Sequence, residues 1–170
     1  MARRSIVVIA HDLRSTHNVG SLLRTCEGLG VAHVYLTGYT PYPALPGGDP
    51  RLPYIAQKLT RQIHKTALGT ETMMPWTHLE DVSACMAALR SDGYTVVALE
   101  QTETSILLPQ FNPPTNIALL LGREVEGIDT ELLKHCDMSV EIPMLGKKES
   151  FNVVQAAAMA LYHCRFRAAS

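Results

Sequence analysis

The chain has 170 residues, enough for one domain with a sizeable core. Hydrophobic residues make up 46% of it, ordinary for a soluble globular protein, and no apolar run approaches the ~20 residues of a membrane span. A formal net charge of −1 does not by itself mark a nucleic-acid-binding protein, so any such surface has to come from local clustering.

The N-terminal MARRSIVVIAHDL has a short apolar run that stops at His11-Asp12, with no small-residue cleavage site after it. SIVVIA therefore reads as a first strand rather than a signal peptide, which points to a cytoplasmic protein. HNVGSLLRTCEGLG follows as a helix, with Asn18 as its expected N-cap. At helical spacing Val19, Leu22, Leu23, Cys26 and Leu29 share one arc, and Arg24 falls nearly opposite. Gly20 and Gly28 lie on the side of Arg24, at i−4 and i+4. Each glycine costs a helix about 1 kcal/mol relative to alanine, so two on one face ask for a reason. Either Gly28 and Gly30 end the helix and Arg24 is solvated, or a ligand or a second backbone comes close to Arg24. The helix alone leaves both readings open.

HVYLTG reads as a second strand, and YTPYPALPGGDPRLP, dense in proline and glycine, as a long loop. IAQKLTRQIHKT is a helical candidate. From residue 51 to 70 there is no acid, while Arg51, Lys58, Arg61 and Lys65 are basic, with His64 beside them. Arg3 with Arg4, Lys147 with Lys148, and Arg165 with Arg167 form smaller clusters. Such clusters are solvated faces unless folding brings several together into a phosphate track. LEDVSACMAALRSDG is a helix stopped at Gly93, and YTVVALE and NIALLLG are buried strands. DTELLKHC is a short helix capped by Asp129, MSVEIPM a strand, and NVVQAAAMALYHCRFRAA a long last helix. This alternation implies an α/β fold, a parallel sheet with helices on both faces.

The four cysteines have no CxxC spacing, and the seven histidines form no HExxH or similar pair, so no metal site is expected. Cys26, Cys85 and Cys164 sit in apolar helical patterns as small hydrophobes.

Ligands of such sheets bind where strands end. One strand runs into Gly122-Arg123-Glu124-Val125-Glu126-Gly127, and another, VEIPM, runs through a loop into a helix starting near Ser150 or Asn152. The first is neither a P-loop nor a GxGxxG fingerprint. Taken singly, it is a tight turn with two solvated acids, and the second an ordinary helix cap.

Together with the N-terminal helix they form an ordered set: NxGxxxR (Asn18, Gly20, Arg24), GxExxG (Gly122, Glu124, Gly127), and IPM followed by SxN (Ile142, Pro143, Met144, Ser150, Asn152). This set resembles the SpoU (TrmH-like) branch of the SPOUT RNA methyltransferases over nearly the whole chain. The resemblance implies a single methyltransferase domain spanning 1–170 without an added RNA-binding domain, a C-terminal deep trefoil knot, and a homodimer with active sites near the subunit interface. It implies S-adenosylmethionine as cofactor, held by Leu99, Glu100 and Gln101, by Leu121 and Gly122, and by Ile142, Met144, Ser150 and Asn152. It also implies methyl transfer to a ribose 2′-hydroxyl of RNA, tRNA more than rRNA. Arg24 would be the catalytic arginine, gripping a phosphate and stabilising the developing alkoxide, with Gly20 and Gly28 clearing space for RNA or the knot loops. Asn18 and Glu124 would orient Arg24, and Ser150 and Asn152 would place the ribose. Arg14, Arg51, Lys58, Arg61, Lys65 and Arg123 would meet the RNA. Two departures stand out: Val154 and Gln155 follow the asparagine where relatives often carry a hydroxyl, and Arg123 replaces asparagine or proline. The rival readings are an inactive RNA-binding module of the same fold and a knotted enzyme acting on a base nitrogen.

Overall fold

The computed structural model describes residues 4–168, so Arg3 of the Arg3-Arg4 pair lies outside the described residues. The chain alternates β1 (Ser5–His11), α1 (Thr16–Gly28), β2 (His33–Thr37), α2 (Pro53–Ala67), β3 (Trp76–Leu79), α3 (Val82–Ser91), β4 (Thr95–Leu99), β5 (Ile106–Leu107), β6 (Asn116–Leu121), α4 (Thr130–Leu133), β7 (Met138–Glu141) and α5 (Val153–Phe166). All strands are parallel, in the order β3-β2-β1-β6-β4-β7-β5.

The central strands are apolar throughout because both faces are covered. In β1, Ile6, Val8 and Ala10 pack toward α1, α2 and α5, while Val7 and Ile9 pack toward α3 and α4. β6 divides likewise, Ile117, Leu119 and Leu121 to one side and Ala118 and Leu120 to the other. The α/β expectation thus holds, with the addition of β3 and β5. These are short strands at the two edges of the sheet, too brief for a period to register.

α1 begins earlier than expected. Ser15, not Asn18, is its N-cap, accepting a bond from the Asn18 N–H at 3.2 Å. Gly20 does face a second backbone, but it is α2: a Cβ there would lie 2.3 Å from the Ile63 carbonyl oxygen and 2.9 Å from the Ala67 nitrogen. The glycine therefore exists for a helix crossing rather than for RNA or the last loop. Gly28 has open space around it and simply leads to the end of α1.

Three arginines of the basic clusters are structural. Arg4 donates to the carbonyls of Pro113, Cys164 and Arg167, and Arg165 donates to those of Leu29, Arg4 and Gly30. Arg51 is turned into the long loop. It chelates Asp49, donates to the Tyr42 and Pro43 carbonyls, and lies 3.6 Å over the Tyr42 ring. The asparagine before α5, Asn152, caps that helix by accepting from the Val154 N–H at 2.9 Å. The helix turns Ala157 and Ala160 into the core and leaves Tyr162 and Phe166 exposed. Burial pushes the thiols of Cys85 and Cys136 up to about 11 and that of Cys164 to about 12, and raises Cys26 further. All four stay protonated at neutral pH, as small hydrophobes do.

Candidate active site

β1 leads to α1 on one face of the sheet, and its neighbour β6 leads to α4 on the other. Their loops diverge at the carboxyl edge, and this opens a crevice where open α/β sheets bind ligands. A cleft of about 260 Å³ lies on the β6 side of this crevice, over the ends of β4, β6 and β7. Leu99, Glu100, Gln101, Leu121, Gly122, Ile142, Met144 and Ser150 all line it, as do Arg123 and Glu124.

The loop after β6 is closed on itself. Arg123 and Gly127 exchange both backbone bonds at 3.2 Å, with Gly127 at φ +71°. A Cβ at Gly122 would meet Gly127 and Ile128 at 2.6 Å, so glycine is demanded there by the closure itself. Glu100 locks the loop to β4: its carboxylate accepts from the Ile128 N–H at 2.9 Å and from the Gln101 N–H at 3.0 Å. Across the cleft the Gln101 amide donates to the Glu149 carbonyl at 2.9 Å, which ties down the 142–152 loop.

At the mouth of the cleft three motif residues form a relay. The Asn152 amide donates to the Asn18 side-chain oxygen at 3.3 Å, and the Asn18 amide donates to Glu124 Oε1 at 3.1 Å. The same carboxylate accepts the backbone N–H groups of Arg14 and Ser15. Burial alone would raise the Glu124 pKa, but the bonds from Ser15, Arg14 and Asn18 outweigh it and hold the carboxyl below its usual range. Glu124 is thus a fixed anion that aligns the start of α1 with the end of β6.

The cleft wall combines aliphatic side chains with the carboxylates of Glu100, Glu141 and Glu149. That donor set suits a ligand with a flat apolar part and a cationic part. Sequence reasoning missed Val125, Val140, Glu141, Val153 and Ala156 in this lining, and Asn152, expected to hold the cofactor, is not part of it. Glu141 and Val153 immediately border quoted motifs and could have been found from them.

Of the other expected residues, Arg123 lines the cleft and the rest lie outside it. Arg24 is exposed on the outer side of α1 and is not part of the cleft lining, and its side chain makes no hydrogen bond or ion pair with another described residue. Lys58, Arg61 and Lys65 are likewise exposed, along the outer face of α2. Arg14 pairs with Glu126 at 2.9 Å beside the crevice. Arg123 lies 4.0 Å from Asp129, and its Nε is buried without a hydrogen-bond partner. No cluster of His, Cys, Asp or Glu among the described residues could hold a metal ion, and no helix among them is long and apolar enough to cross a membrane.

A mouse tRNA (guanosine(18)-2′-O)-methyltransferase is 30% identical over 159 residues, which cover 92% of this chain and 9% of the mouse protein. A tRNA (guanosine(18)-2′-O)-methyltransferase of Aquifex aeolicus is 24% identical over 166 residues, 96% of this chain and 70% of the relative. Among solved structures, an AdoMet-bound rRNA methyltransferase from Sinorhizobium meliloti superposes with a TM-score of 0.80 at 21% identity, over 99% of this chain and 58% of that one. This likeness extends the fold beyond the C-terminal half. The profile of the SpoU rRNA Methylase family matches residues 52–162, well over half of the sequence, and the chain belongs to that family.

Proposed function

We propose that this protein transfers a methyl group from S-adenosylmethionine to a ribose 2′-hydroxyl of RNA, with tRNA as the substrate. The observation that carries the reading is the Asn152–Asn18–Glu124 relay at the mouth of a cleft built from three adjoining strand ends. Asn18, Glu124 and Asn152, one residue from each of three motifs far apart in sequence, meet there.

The cleft fits the cofactor. Leu99, Leu121, Val140 and Ile142 offer a flat apolar wall, and the neighbouring carboxylates favour a cation. When bound, S-adenosylmethionine supplies an electrophilic methyl group on a sulfonium. The chain itself supplies position and charge. Glu124 and Asn18 fix the start of α1, and Ser150 and Asn152 place the ribose at the cleft mouth. Arg24 grips the adjacent phosphate and stabilises the alkoxide as the hydroxyl loses its proton to phosphate or solvent. Arginine stays protonated in proteins, so it is an electrostatic partner rather than a base. The substrate assignment to tRNA is supported by the names of the mouse and Aquifex relatives.

Arg24 lies outside the cleft of its own chain, so we infer that a second protomer supplies it. A homodimer is supported by the apolar groove around Leu108, Pro109, Pro143, Met159, Tyr162 and Phe166 on α5. The trefoil knot is supported by the course of the 142–152 loop, which leaves β7, is tied to Gln101 beyond the end of β4 and reaches Asn18 of α1. Exposed Lys58, Arg61 and Lys65, with Arg14 and Arg123 nearer the cleft, form the RNA-facing surface.

The test is transfer of tritiated methyl from S-adenosylmethionine to total RNA of a strain lacking the protein, followed by nucleoside analysis. Label is expected in a 2′-O-methylated nucleoside of the tRNA fraction. Label in ribosomal RNA moves the substrate and keeps the chemistry; label on a base overturns the chemistry. Binding of RNA with no transfer, and no melting shift with S-adenosylmethionine or its demethylated product at millimolar concentration, leaves an RNA-binding module.

A further inference from the structure

Beyond Glu124, on the β1–β2–β3 side of the crevice, lies a second pocket of about 590 Å³ that the chemistry above does not use. Arg14 links the two. Its backbone N–H is held by Glu124, which lines the cleft, and Arg14 itself is among the residues that line this second pocket.

One wall is a pile of flat groups. Arg51 lies over Tyr42 at 3.6 Å, and Tyr42 stacks on His78 with ring centroids 3.9 Å apart and planes at 22°. The opposite lip carries Tyr39, whose residue is 88% exposed. That exposure is enforced by the backbone. Gly38 has φ +62° and Asp12 has φ +54°, both in the left-handed region. The Asp12 carboxylate accepts the Tyr39 N–H at 2.8 Å, a Cβ on Gly38 would strike that same oxygen, and the Gly38 carbonyl lies 3.1 Å from His78 Nε2. A bare aromatic ring is thus held out into water on a rigid corner. Gln62, from α2, also lines the pocket, and its amide makes no hydrogen bond with another described residue. The cations Lys58 and Arg61 flank Leu59 and Gln62 on the same helix, so one side of the pocket is a helix that carries cations and no acid.

We propose that this pocket receives an unstacked nucleobase of the RNA strand, with Tyr39 as its stacking plate and Gln62 reading its edge. A ring, a free amide and adjacent cations are what single-stranded RNA recognition uses: a π-face for the base, a polar group for its edge, and charge for the backbone. The inference rests on the RNA methyltransferase reading and adds a binding subsite to it.

The experiment measures affinity for deproteinised total tRNA and for ribosomal RNA across a salt series, with the parent, Tyr39→Ala, Tyr39→Leu and Tyr39→Phe. Sedimentation and the melting shift with S-adenosylmethionine are recorded on each. Expected is a loss of about tenfold in RNA affinity for Tyr39→Ala and Tyr39→Leu, with Tyr39→Phe near the parent. The salt slope should not change, because no phosphate contact is removed. The cofactor-induced shift and the sedimenting mass should also stay as in the parent. Parent affinity in Tyr39→Ala overturns the inference alone, as does Tyr39→Leu matching Tyr39→Phe. A sedimenting mass that falls in Tyr39→Ala assigns the ring to a protein interface and overturns it too. A parent that binds neither RNA pool nor S-adenosylmethionine overturns the underlying reading, and the subsite with it.

Discussion

The basic residues of this chain behave in two opposite ways. At the amino edge of the sheet, Arg4 and Arg165 are tied to backbone carbonyls of neighbouring segments, and in the long loop Arg51 is tied to Asp49 and two more carbonyls. On the outer faces of α1 and α2, Arg24, Lys58, Arg61 and Lys65 have no hydrogen-bonded or ion-paired partner among the described residues. A linear sequence presents the two groups alike. The difference teaches that a cluster of positive charge says little about a ligand until each charge has been asked what it already holds. The tethered group should govern stability, the free group function.

The largest expected effect lies in the free group. Arg24→Ala should reduce single-turnover methylation at saturating RNA and cofactor by roughly 100- to 1,000-fold, the usual loss when one preorganised electrostatic group is removed. Its melting temperature should barely move. Arg24→Lys should be nearly as slow, since it keeps the charge and loses the planar fork. A rate for Arg24→Lys close to the parent reduces the role to simple charge. Mixing Arg24→Ala protomers with Glu124→Ala protomers should restore part of the activity if the arginine works across a dimer.

The tethered group comes next. Arg165→Ala removes three charge-assisted bonds to carbonyls of Leu29, Arg4 and Gly30. The expected cost is about 2–3 kcal/mol, a fall of roughly 5–10 °C in melting temperature for a domain of this size. Cofactor affinity measured well below that transition should match the parent. Unchanged melting would erase the distinction between the two groups.

Reversing Lys58 and Arg61 together to glutamate should weaken RNA binding by about tenfold or more at moderate salt and flatten its salt dependence. Stability should change by less than about 1 kcal/mol. If affinity and salt slope both survive, the free face of α2 is only solvated.

The smallest effect concerns Glu124, an anion tied like the first group yet placed at the mouth of the cleft. Its folded pKa is depressed. The stability it adds is therefore present above the ordinary glutamate range and is lost as pH falls through the lowered folded value. Glu124→Gln should make the fall in melting temperature on the acid side shallower than in the parent, as read by calorimetry, with the remaining slope coming from the other carboxyls held low, Asp49, Glu71 and Glu126.

Much of the fold could be read from the chain because its central strands are covered on both faces, so that SIVVIA and NIALLLG are unbroken apolar runs. Edge strands gave no such signal: Trp76–Leu79 and Ile106–Leu107 are too short and too mixed. The N-terminus of α1 was misplaced by three residues because Ser15, Thr16 and Asn18 are all plausible caps. What distinguishes them is that the Asn18 amide is already engaged by Glu124, a partner 106 positions away. The lining of the cleft was legible through the motifs that build it. Two things were not: that Arg24 stands outside that cleft, and that Arg51 closes a loop. Asp49, two residues before Arg51, was the only local hint of the second. The pocket beside Tyr39 depends on a left-handed aspartate and a left-handed glycine meeting across two loops, which no local pattern announces.

The crossing at Gly20 has one more consequence. Because the α1 backbone at Gly20 meets the α2 backbone with only the Thr66 hydroxyl beside it, and that hydroxyl donates to the His17 carbonyl at 2.8 Å, the joint has little slack. The spacing between Arg24 on one helix and the cations on the other is thereby fixed, like the marks on a ruler, ahead of the RNA docking proposed above. An RNA strand that matches those marks gives up its own disorder on docking while the protein gives up almost none. One that does not match cannot recruit the protein to bend toward it. Replacing Gly20 by a residue with any side chain would part the helices, and the measure would be wrong even though every charge remained.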